Sequence, residues 1–321
     1  MDHAGALRRA VADFAAAHLD GAREVCVGLS GGPDSLALTA AALDSGLAVR
    51  ALIVDHRLQR GSAHVADSAA RAATALGARA DVIEVSVGHD GGMEAAARTA
   101  RYDALEHARE GLPVLLGHTM DDQAETVLLG LARGSGARSI AGMRPWSAPW
   151  ARPLLGIRRA QTLAACAERG LAPHSDPHNR DPRFTRVRLR SEVIPLLEDV
   201  LHGGAVEALS RTAGSLREDN DALDGFADTL YREAVRTGDP APELLIASLA
   251  ATVPAIRRRV IRLWLHDAGA TEPTSRVIVG IDALITDWRG QGGVAIGGDA
   301  DVRRSAARCG DAIVVQESPR R

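Results

Sequence analysis

The segment from Val27 to Ser35, VGLSGGPDS, carries the clearest chemical pattern in the chain. An apolar run precedes it and a helical pattern follows, which predicts a strand, a tight turn and a helix. Gly31 and Gly32 let the backbone turn sharply and approach a ligand, because they have no Cβ. Pro33 suits the first helical turn, where its missing N–H costs nothing. Exposed N–H groups at a helix N-terminus favour an anion, so we predict a phosphate-binding loop over Ser30–Ser35.

Asp34 adds a carboxylate to this predicted loop. A carboxylate repels a bare phosphate but suits a phosphate that carries Mg²⁺. We therefore predict that Asp34 serves a phosphate that carries Mg²⁺. The spacing matches neither a Walker A motif nor a dinucleotide-binding fingerprint. The alternative interpretation is a βα turn with an ordinary helix cap.

The second pattern runs from residue 117 to residue 136, GHTMDDQAETVLLGLARGSG. His118 follows a short apolar run, and two aspartates open the next predicted helix, where the helix dipole favours carboxylates. Asp122 and Glu125 are three residues apart and share a helix face, on which they could hold Mg²⁺ or the amine of a substrate. The plainer alternative makes Thr119 and Asp122 a capping box and His118 a core residue.

Both patterns resemble those of a known family. SGGPDS is similar to the pyrophosphate-binding motif of the N-type ATP pyrophosphatases, which adenylate a substrate oxygen and release pyrophosphate. The block 117–136 resembles the GHxxDDQxET…RGSG signature of the tRNA(Ile)-lysidine synthetase family. Further similar segments, in the same order, are DHRLQR at 55–60, the helix with Glu94 and Arg101-Tyr102, RPLL at 152–155, and the run from Asp176 through Asn179 to 197. Thr119 and Val187 depart from the usual His and Asn of that family.

The resemblance implies a reaction and its partners. ATP and Mg²⁺ would serve the ligation of L-lysine to C2 of the wobble cytidine of a tRNA(Ile) with a CAU anticodon, through an adenylated cytidine, giving lysidine, AMP and diphosphate. It implies that Asp34 is a Mg²⁺ ligand and a catalytic residue. It also implies that His118, Asp122 and Glu125 are catalytic and surround the α-phosphate and the lysine. The arginines it implicates are Arg98 and Arg133 for ATP or the base, and Arg186, Arg188 and Arg190 for the anticodon stem-loop.

Other functions stay open at this point. Another ATP pyrophosphatase, such as a tRNA thiolase or an amide-forming synthetase, would share the first loop. Thiolases usually carry cysteine pairs, whereas this chain has three dispersed cysteines. A nucleotide-binding regulatory module would bind ATP without releasing pyrophosphate, and the acids at 121–125 argue against it. A carboxylate or His118 could accept the lysine proton, and the oligomeric state is open, a homodimer included.

The elements that must position these residues differ between the two halves of the chain. In the first half, apolar runs at 24–29, 49–54, 82–87 and 114–116 alternate with helical patterns at 35–43, 63–76, 94–110 and 122–133. This alternation predicts an α/β fold with a doubly wound parallel sheet, whose ligands lie beyond the C-terminal strand ends. The second half predicts helices and a final hairpin. We expect a catalytic domain over 1–205 and a mostly helical tRNA-binding domain over 206–321.

Composition narrows the chemistry further. All 38 basic residues are arginine, which excludes a Schiff-base or Walker lysine. Dispersed cysteines favour a reducing compartment. The N-terminus lacks the apolar core of a signal peptide, and no apolar run is long enough for a membrane span, so we expect a cytoplasmic protein. Residues 151–190 hold nine arginines against three acids, and this basic segment could meet a phosphate backbone. Arg257–Arg259 and Arg262 are the next candidates for a tRNA surface.

Overall fold

The computed structural model describes residues 2–57, 61–86, 93–134, 136–174, 181–271, 273–298 and 301–319, with side chains from 96 onward in the third range. The chain forms two compact units, Met1–Arg217 and Glu218–Arg321. The division between them falls inside a long helix, later than the boundary after residue 205 that the sequence predicts.

A six-stranded sheet forms the centre of the first unit. Its strands are β1 (Glu24–Gly28), β2 (Ala48–Asp55), β3 (Arg79–Glu84), β4 (Val114–Leu116), β5 (Trp146–Ser147) and β6 (Trp150–Ala151). Their order is β3-β2-β1-β4-β6-β5, and only the β5–β6 pair is antiparallel. The strand order reverses between β1 and β4, which is where ligands bind in open α/β sheets. The predicted α/β class is confirmed.

Helices cover both faces of this sheet. From the N-terminus to residue 200 the helices are α1 (His3–His18), α2 (Pro33–Asp44), α3 (Ser62–Leu76), α4 (Met93–Ala108), α5 (Met120–Arg133), α6 (Ala137–Ile140), α7 (Arg159–Glu168), α8 (Thr185–Arg188) and α9 (Ile194–Val200), with a π-helical turn at Leu189–Val193. Alternate residues of β1 point to opposite cores. Val25 and Val27 pack in the core that α1, α2, α3 and α7 cover, whereas Cys26 packs with Leu105 of α4.

The edge strand β3 begins three residues earlier than its apolar alternation indicates. Its pairing with residues 50–55 of β2 selects the segment 79–84, and Val87 of the predicted strand lies outside the described residues. Among the elements that the sequence did not predict are α1, α6, α7, α8 and the β5–β6 hairpin. Of these, α7 matters most, because its first turn reaches the candidate site.

The second unit contains more strand than the sequence predicts. After α10 (Ala205–Ala234) come β7 (Val235–Arg236), β8 (Glu243–Leu245), α11 (Ile246–Ala250), α12 (Pro254–Asp267), α13 (Ser275–Thr286), β9 (Val294–Ala295), β10 (Val302–Cys309) and β11 (Ala312–Pro319). The strands form one antiparallel sheet in the order β7-β8-β11-β10-β9. The pattern at Leu244–Leu249 predicts a helix, but Leu244 and Leu245 pair with β11 as a strand, and the helix begins only at Ile246. Short apolar runs fit a strand or a helix equally well, and a distant partner decides.

A compact apolar core holds the second unit together. Trp264 of α12 is fully buried among residues of α13 and the sheet, and its indole N–H donates to the carbonyl of Pro242 at 2.6 Å. In the described part of the chain, no helix is both long and apolar enough to cross a lipid bilayer.

Candidate active site

The predicted phosphate loop forms a closed turn at the end of β1. Gly31 adopts a positive φ of 80°, which glycine allows without strain, and Pro33 is the first residue of α2. The Ser35 hydroxyl accepts a hydrogen bond from the Ser30 N–H at 3.2 Å and donates one to the Gly32 carbonyl at 3.1 Å. The six residues Ser30–Ser35 therefore lie together at the N-terminus of α2, as the sequence predicts.

The second pattern lies directly beside this loop, because β4 pairs with β1. Gly117 makes the close approach possible. A Cβ at this position would lie 2.9 Å from the Ser35 nitrogen and 3.0 Å from the Ser35 Cα. Contacts this short do not occur in real proteins, so any larger residue at 117 would push the loop away from β4.

The two carboxylate oxygens of Asp122 accept hydrogen bonds from different partners. Oδ2 accepts hydrogen bonds from the Thr119 N–H at 2.8 Å and from the Thr119 hydroxyl at 2.7 Å. Oδ1 accepts from the Arg159 guanidinium at 2.5 Å. Asp122 thus caps α5 and also belongs to a cluster of charged side chains, so the two interpretations of this residue do not exclude each other.

Arg159, the first residue of α7, joins three carboxylates. Its Nε donates to Asp34 Oδ2 at 3.1 Å, its Nη2 to Asp122 Oδ1 at 2.5 Å and its Nη1 to Glu125 Oε1 at 3.5 Å. The Thr162 hydroxyl, one turn further along α7, donates to Asp34 Oδ1. We call Asp34, Asp122, Glu125 and Arg159 the acid–arginine cluster. Sequence reasoning missed Arg159 and Thr162, because the RPLL segment before them indicates no helix.

Glu125 is the most deeply buried member of the cluster, with no exposed surface. Its Oε1 accepts a hydrogen bond from Arg190 Nε at 2.8 Å. Its Oε2 lies 3.8 Å from Arg186 Nη1, an ion pair too long for a hydrogen bond, and has no hydrogen-bond partner among the described residues. A buried carboxylate oxygen without a donor is costly, so it is suited to accept one from a ligand.

The three arginines implicated in tRNA binding contact different acids. Arg186 and Arg190 face Glu125. Arg188 is exposed and forms a two-pronged pair with Glu192, at 3.1 Å from Nε and 2.8 Å from Nη2. Much of the basic segment is likewise paired with acids elsewhere in the first unit, as in the contact between Arg169 and Asp44.

Burial and neighbouring charges shift the pKa values of the site. Burial raises the pKa of Asp34, although Arg159 and Thr162 oppose the shift. Burial also acts to raise the pKa of Asp122. There, the charge of Arg159 and the hydrogen bonds from Thr119 outweigh burial and hold the pKa below its ordinary value. Burial lowers the pKa of His118 to about 3, against the attraction of Asp122, and nearby arginines add to the effect. His118 is therefore neutral at pH 7 and a weak base.

Two implicated arginines lie outside the acid–arginine cluster. Arg98 stands on the exposed face of α4, where its guanidinium lies 4.9 Å from the Tyr102 ring centroid and donates to the Tyr102 hydroxyl at 3.3 Å. Its charge still contributes to the low pKa of His118. Arg133 is the last residue of α5. At 1.5 Å per residue it lies about 16 Å along the helix from Asp122.

Asp34 fits a magnesium ion that takes most of its ligands from elsewhere. Among the described residues, no group of three or more His, Cys, Asp or Glu side chains could hold a metal ion by itself. Mg²⁺ in nucleotide sites uses one or two carboxylates together with substrate phosphates and water. A half-buried carboxylate at the predicted phosphate loop meets that requirement. Of the other matching motif residues, Arg60, Asp176, Asn179 and the side chain of Glu94 lie outside the described part.

Comparison with known proteins agrees with both units. A family model described as "PP-loop domain" matches residues 5–197, and one described as "TilS substrate binding domain" matches residues 244–309. The chain is 60% identical to the tRNA(Ile)-lysidine synthase of Nocardia farcinica over 94% of each chain. It is 58% identical to that of Mycobacterium tuberculosis over 96% of this chain and 95% of the relative.

Solved structures show the same fold. The U34-tRNA thiolase NcsA of Methanococcus maripaludis superposes with a TM-score of 0.54 at 19% identity, over 67% of this chain and 80% of the thiolase. At that identity the likeness concerns the fold alone.

Proposed function

This chain belongs to the tRNA(Ile)-lysidine synthase family, and from that premise we propose how its residues share the work of making lysidine. The enzyme is a ligase that uses ATP and forms lysidine on tRNA(Ile). The observation that carries our proposal is the acid–arginine cluster, in which the carboxylate of the phosphate loop and those of α5 meet at one guanidinium. We propose that ATP enters at the loop and L-lysine at the α5 carboxylates, in the cytoplasm where tRNA is available.

The phosphate loop binds the pyrophosphate of ATP. The backbone N–H groups at the N-terminus of α2 stabilise the negative charge that develops as pyrophosphate leaves. Mg²⁺, held by Asp34 and the phosphates, would supply further positive charge at the same point. In this step the cytidine O2 attacks the α-phosphate, the bond to pyrophosphate breaks, and C2 gains AMP as a leaving group.

The α5 carboxylates bind the lysine side chain. Glu125 Oε2 is a buried acceptor without a hydrogen-bond partner among the described residues, and it is suited to an ammonium donor. The neutral ε-amine then attacks C2, and AMP leaves with the O2 oxygen. The amine must lose a proton first, and we propose that the Glu125 carboxylate takes it, because Oε2 is the acceptor that would already hold the ammonium. His118 is left to orient the α-phosphate.

The anticodon stem-loop binds along the basic segment. We propose that Arg186, Arg188 and Arg190 contact its phosphates, with the splayed wobble cytidine reaching the acid–arginine cluster. Residues 206–321 contact the rest of the tRNA. Arg98 is proposed to approach the reacting base from α4. Arg133, at the far end of α5, is proposed to contact ATP or the RNA that carries the reacting base.

The test is a reconstituted reaction. The purified protein is incubated with ATP, Mg²⁺, radiolabelled L-lysine and bulk tRNA, with and without added tRNA(Ile) carrying CAU. We expect label in RNA only when ATP and this tRNA are both present, with one AMP and one diphosphate formed for each lysine transferred. Radiolabelled arginine in place of lysine is the matched substrate control.

Two outcomes would contradict the proposal. Pyrophosphate release without lysine transfer, stimulated by another acceptor, would point to a different ATP pyrophosphatase activity. ATP binding without pyrophosphate release, in the presence of the complete tRNA mixture, would point to a regulatory module.

A further inference from the structure

Arg159 occupies an unusual position for a residue with no assigned role. It stands at the start of α7, and its guanidinium donates to one carboxylate from α2 and two from α5. It is therefore the residue through which the phosphate loop and the α5 carboxylates are connected. Its own side chain is largely buried, at 17% exposed.

Only a guanidinium can make this set of contacts. It presents five N–H donors in a rigid planar fork, and here three different nitrogens serve three different carboxylates. An ammonium on a lysine stem is a compact point charge and cannot span three acceptors at fixed angles. The contacts also set which oxygens remain available. Arg159 and Arg190 both bond Glu125 Oε1, which leaves Oε2 as the acceptor without a donor among the described residues.

Resting on the function proposed above, we propose that Arg159 is a positioning residue that aims Glu125 Oε2 at the lysine amine and ties the amine-binding carboxylates to the phosphate loop. It touches neither lysine nor the reacting phosphate. Its guanidinium keeps three closely spaced carboxylates together, although like charges would otherwise drive them apart. The reacting groups are then held at the spacing that the second step requires, where a misplacement of about 1 Å costs about 10²-fold in rate.

The neighbouring residue provides a matched control. Arg158 is also an arginine at the start of α7, but its guanidinium bonds Asp121 at 3.3 Å and Glu207 at 2.6 Å instead of the three cluster carboxylates. Substitution of Arg158 removes the same charge from the same helix terminus. It leaves the contacts to Asp34, Asp122 and Glu125 in place.

The experiment compares Arg159→Ala, Arg159→Lys and Arg158→Ala in the lysine-transfer assay with saturating ATP and tRNA. We expect Arg159→Ala to lose about 10²-fold in kcat/KM for lysine. Arg159→Lys keeps the charge without the fork, so we expect a lysine KM raised at least about 10-fold at an unchanged melting temperature. Guanidinium ion at millimolar concentration should restore part of the Arg159→Ala activity, because it fits the space and the donors that are lost. It should change neither the wild type nor Arg158→Ala.

Three results would overturn the inference. They are wild-type lysine KM and kcat in Arg159→Lys, a guanidinium ion that fails to raise the rate of folded Arg159→Ala, and an Arg158→Ala loss as large as that of Arg159→Ala. If Arg159→Ala does not fold, Arg159→Lys decides alone. A wild-type protein that transfers no lysine would instead refute the proposed function, so the two failures are distinguishable.

Discussion

Asp34 is the residue whose loss we expect to be most damaging at the scale of single side chains. Asp34→Ala should keep the fold and lower ATP-dependent lysine transfer by about 10²–10³-fold or more, because a group that acts on the departing pyrophosphate is removed. Asp44→Ala is the matched control, since Asp44 lies at the other end of α2 and pairs with Arg169. The rate is measured by label in tRNA and the fold by circular dichroism. Wild-type turnover in a folded Asp34→Ala protein would remove Asp34 from the mechanism.

Substitutions can test whether Asp122 and Glu125 act in lysine transfer or only cap α5. In Asp122→Asn the single amide oxygen of the asparagine can still accept the hydrogen bonds from Thr119, so the stability loss should stay near 1 kcal/mol. The Arg159 contact is lost, and lysine transfer should collapse. Glu125→Gln removes the charge without touching the cap, and we expect the same collapse. Thr119→Ala is the reverse control, with a similar stability loss and far more of the activity kept. Normal lysine KM and kcat in both acid variants would mean that these carboxylates only cap the helix.

His118 should make the stability of the first unit depend on pH. Its folded pKa is about 3, below the ordinary value of 6.5. Between these values the unfolded chain binds a proton that the folded chain does not, so stability falls as pH decreases from 6.5 towards 3. At pH 5 the loss from this residue is about 2 kcal/mol. Urea unfolding at pH 7 and pH 5 should show a smaller difference in His118→Gln than in the wild type. Equal differences in the two proteins would contradict the neutral imidazole.

The α8–α9 segment allows a test at the scale of elements. If Arg186, Arg188 and Arg190 contact phosphates, each Arg→Ala variant should bind tRNA more weakly and flatten its salt dependence by about one unit of slope, with ATP affinity unchanged. Arg188 gives the cleanest result, because its partner Glu192 is exposed. Arg186 and Arg190 also face Glu125, so their loss leaves that buried charge less compensated.

Filter-binding titrations at several salt concentrations measure these slopes, with the exposed Arg9 of α1 as control. An unaltered slope in all three variants, accompanied by lower stability or weaker ATP binding, would mean that these arginines act within the cleft. The tRNA surface would then have to be sought in the second unit.

Element boundaries show what sequence patterns can predict. The β4 strand begins and ends where its apolar run does, and α5 begins only two residues before the predicted helix and ends at the same residue. These elements are strongly patterned by local residues. In contrast, β10 contains three arginines in VRRSAARC and shows no apolar alternation. It is a strand because it pairs with β11 along its whole length.

At the scale of the whole molecule, the second unit depends on a buried ion pair. Arg257 Nε donates to Asp282 Oδ1 at 2.5 Å, and both side chains are buried. The sequence offered Arg257 as a candidate for a tRNA surface, but its side chain lies inside the unit. Arg257→Met should destabilise the second unit by about 3–5 kcal/mol, because it leaves Asp282 buried and short of a partner. Arg258 pairs with the other oxygen but is about half exposed, so Arg258→Ala should cost under about 1 kcal/mol.

Thermal unfolding of the two variants measures this difference. We expect a separate early transition in Arg257→Met, and tRNA binding that is lost with unfolding and not through a changed salt slope. Equal melting temperatures for Arg257→Met and Arg258→Ala would contradict the buried pair.

The turn at Ser30–Ser35, the helix face of Asp122 and Glu125 and the α/β order of the first unit follow from the sequence alone. Each is a local property: glycines at a turn, acids three residues apart, and apolar strand runs that alternate with helical patterns. Only the tertiary structure brings Arg159 and Thr162 to Asp34, more than a hundred residues away along the chain. Charge pairs between distant segments leave no periodic trace in a sequence, because the partner is selected by packing. The same reason explains why a basic stretch of sequence proved to be partly neutralised by the acids it folds against.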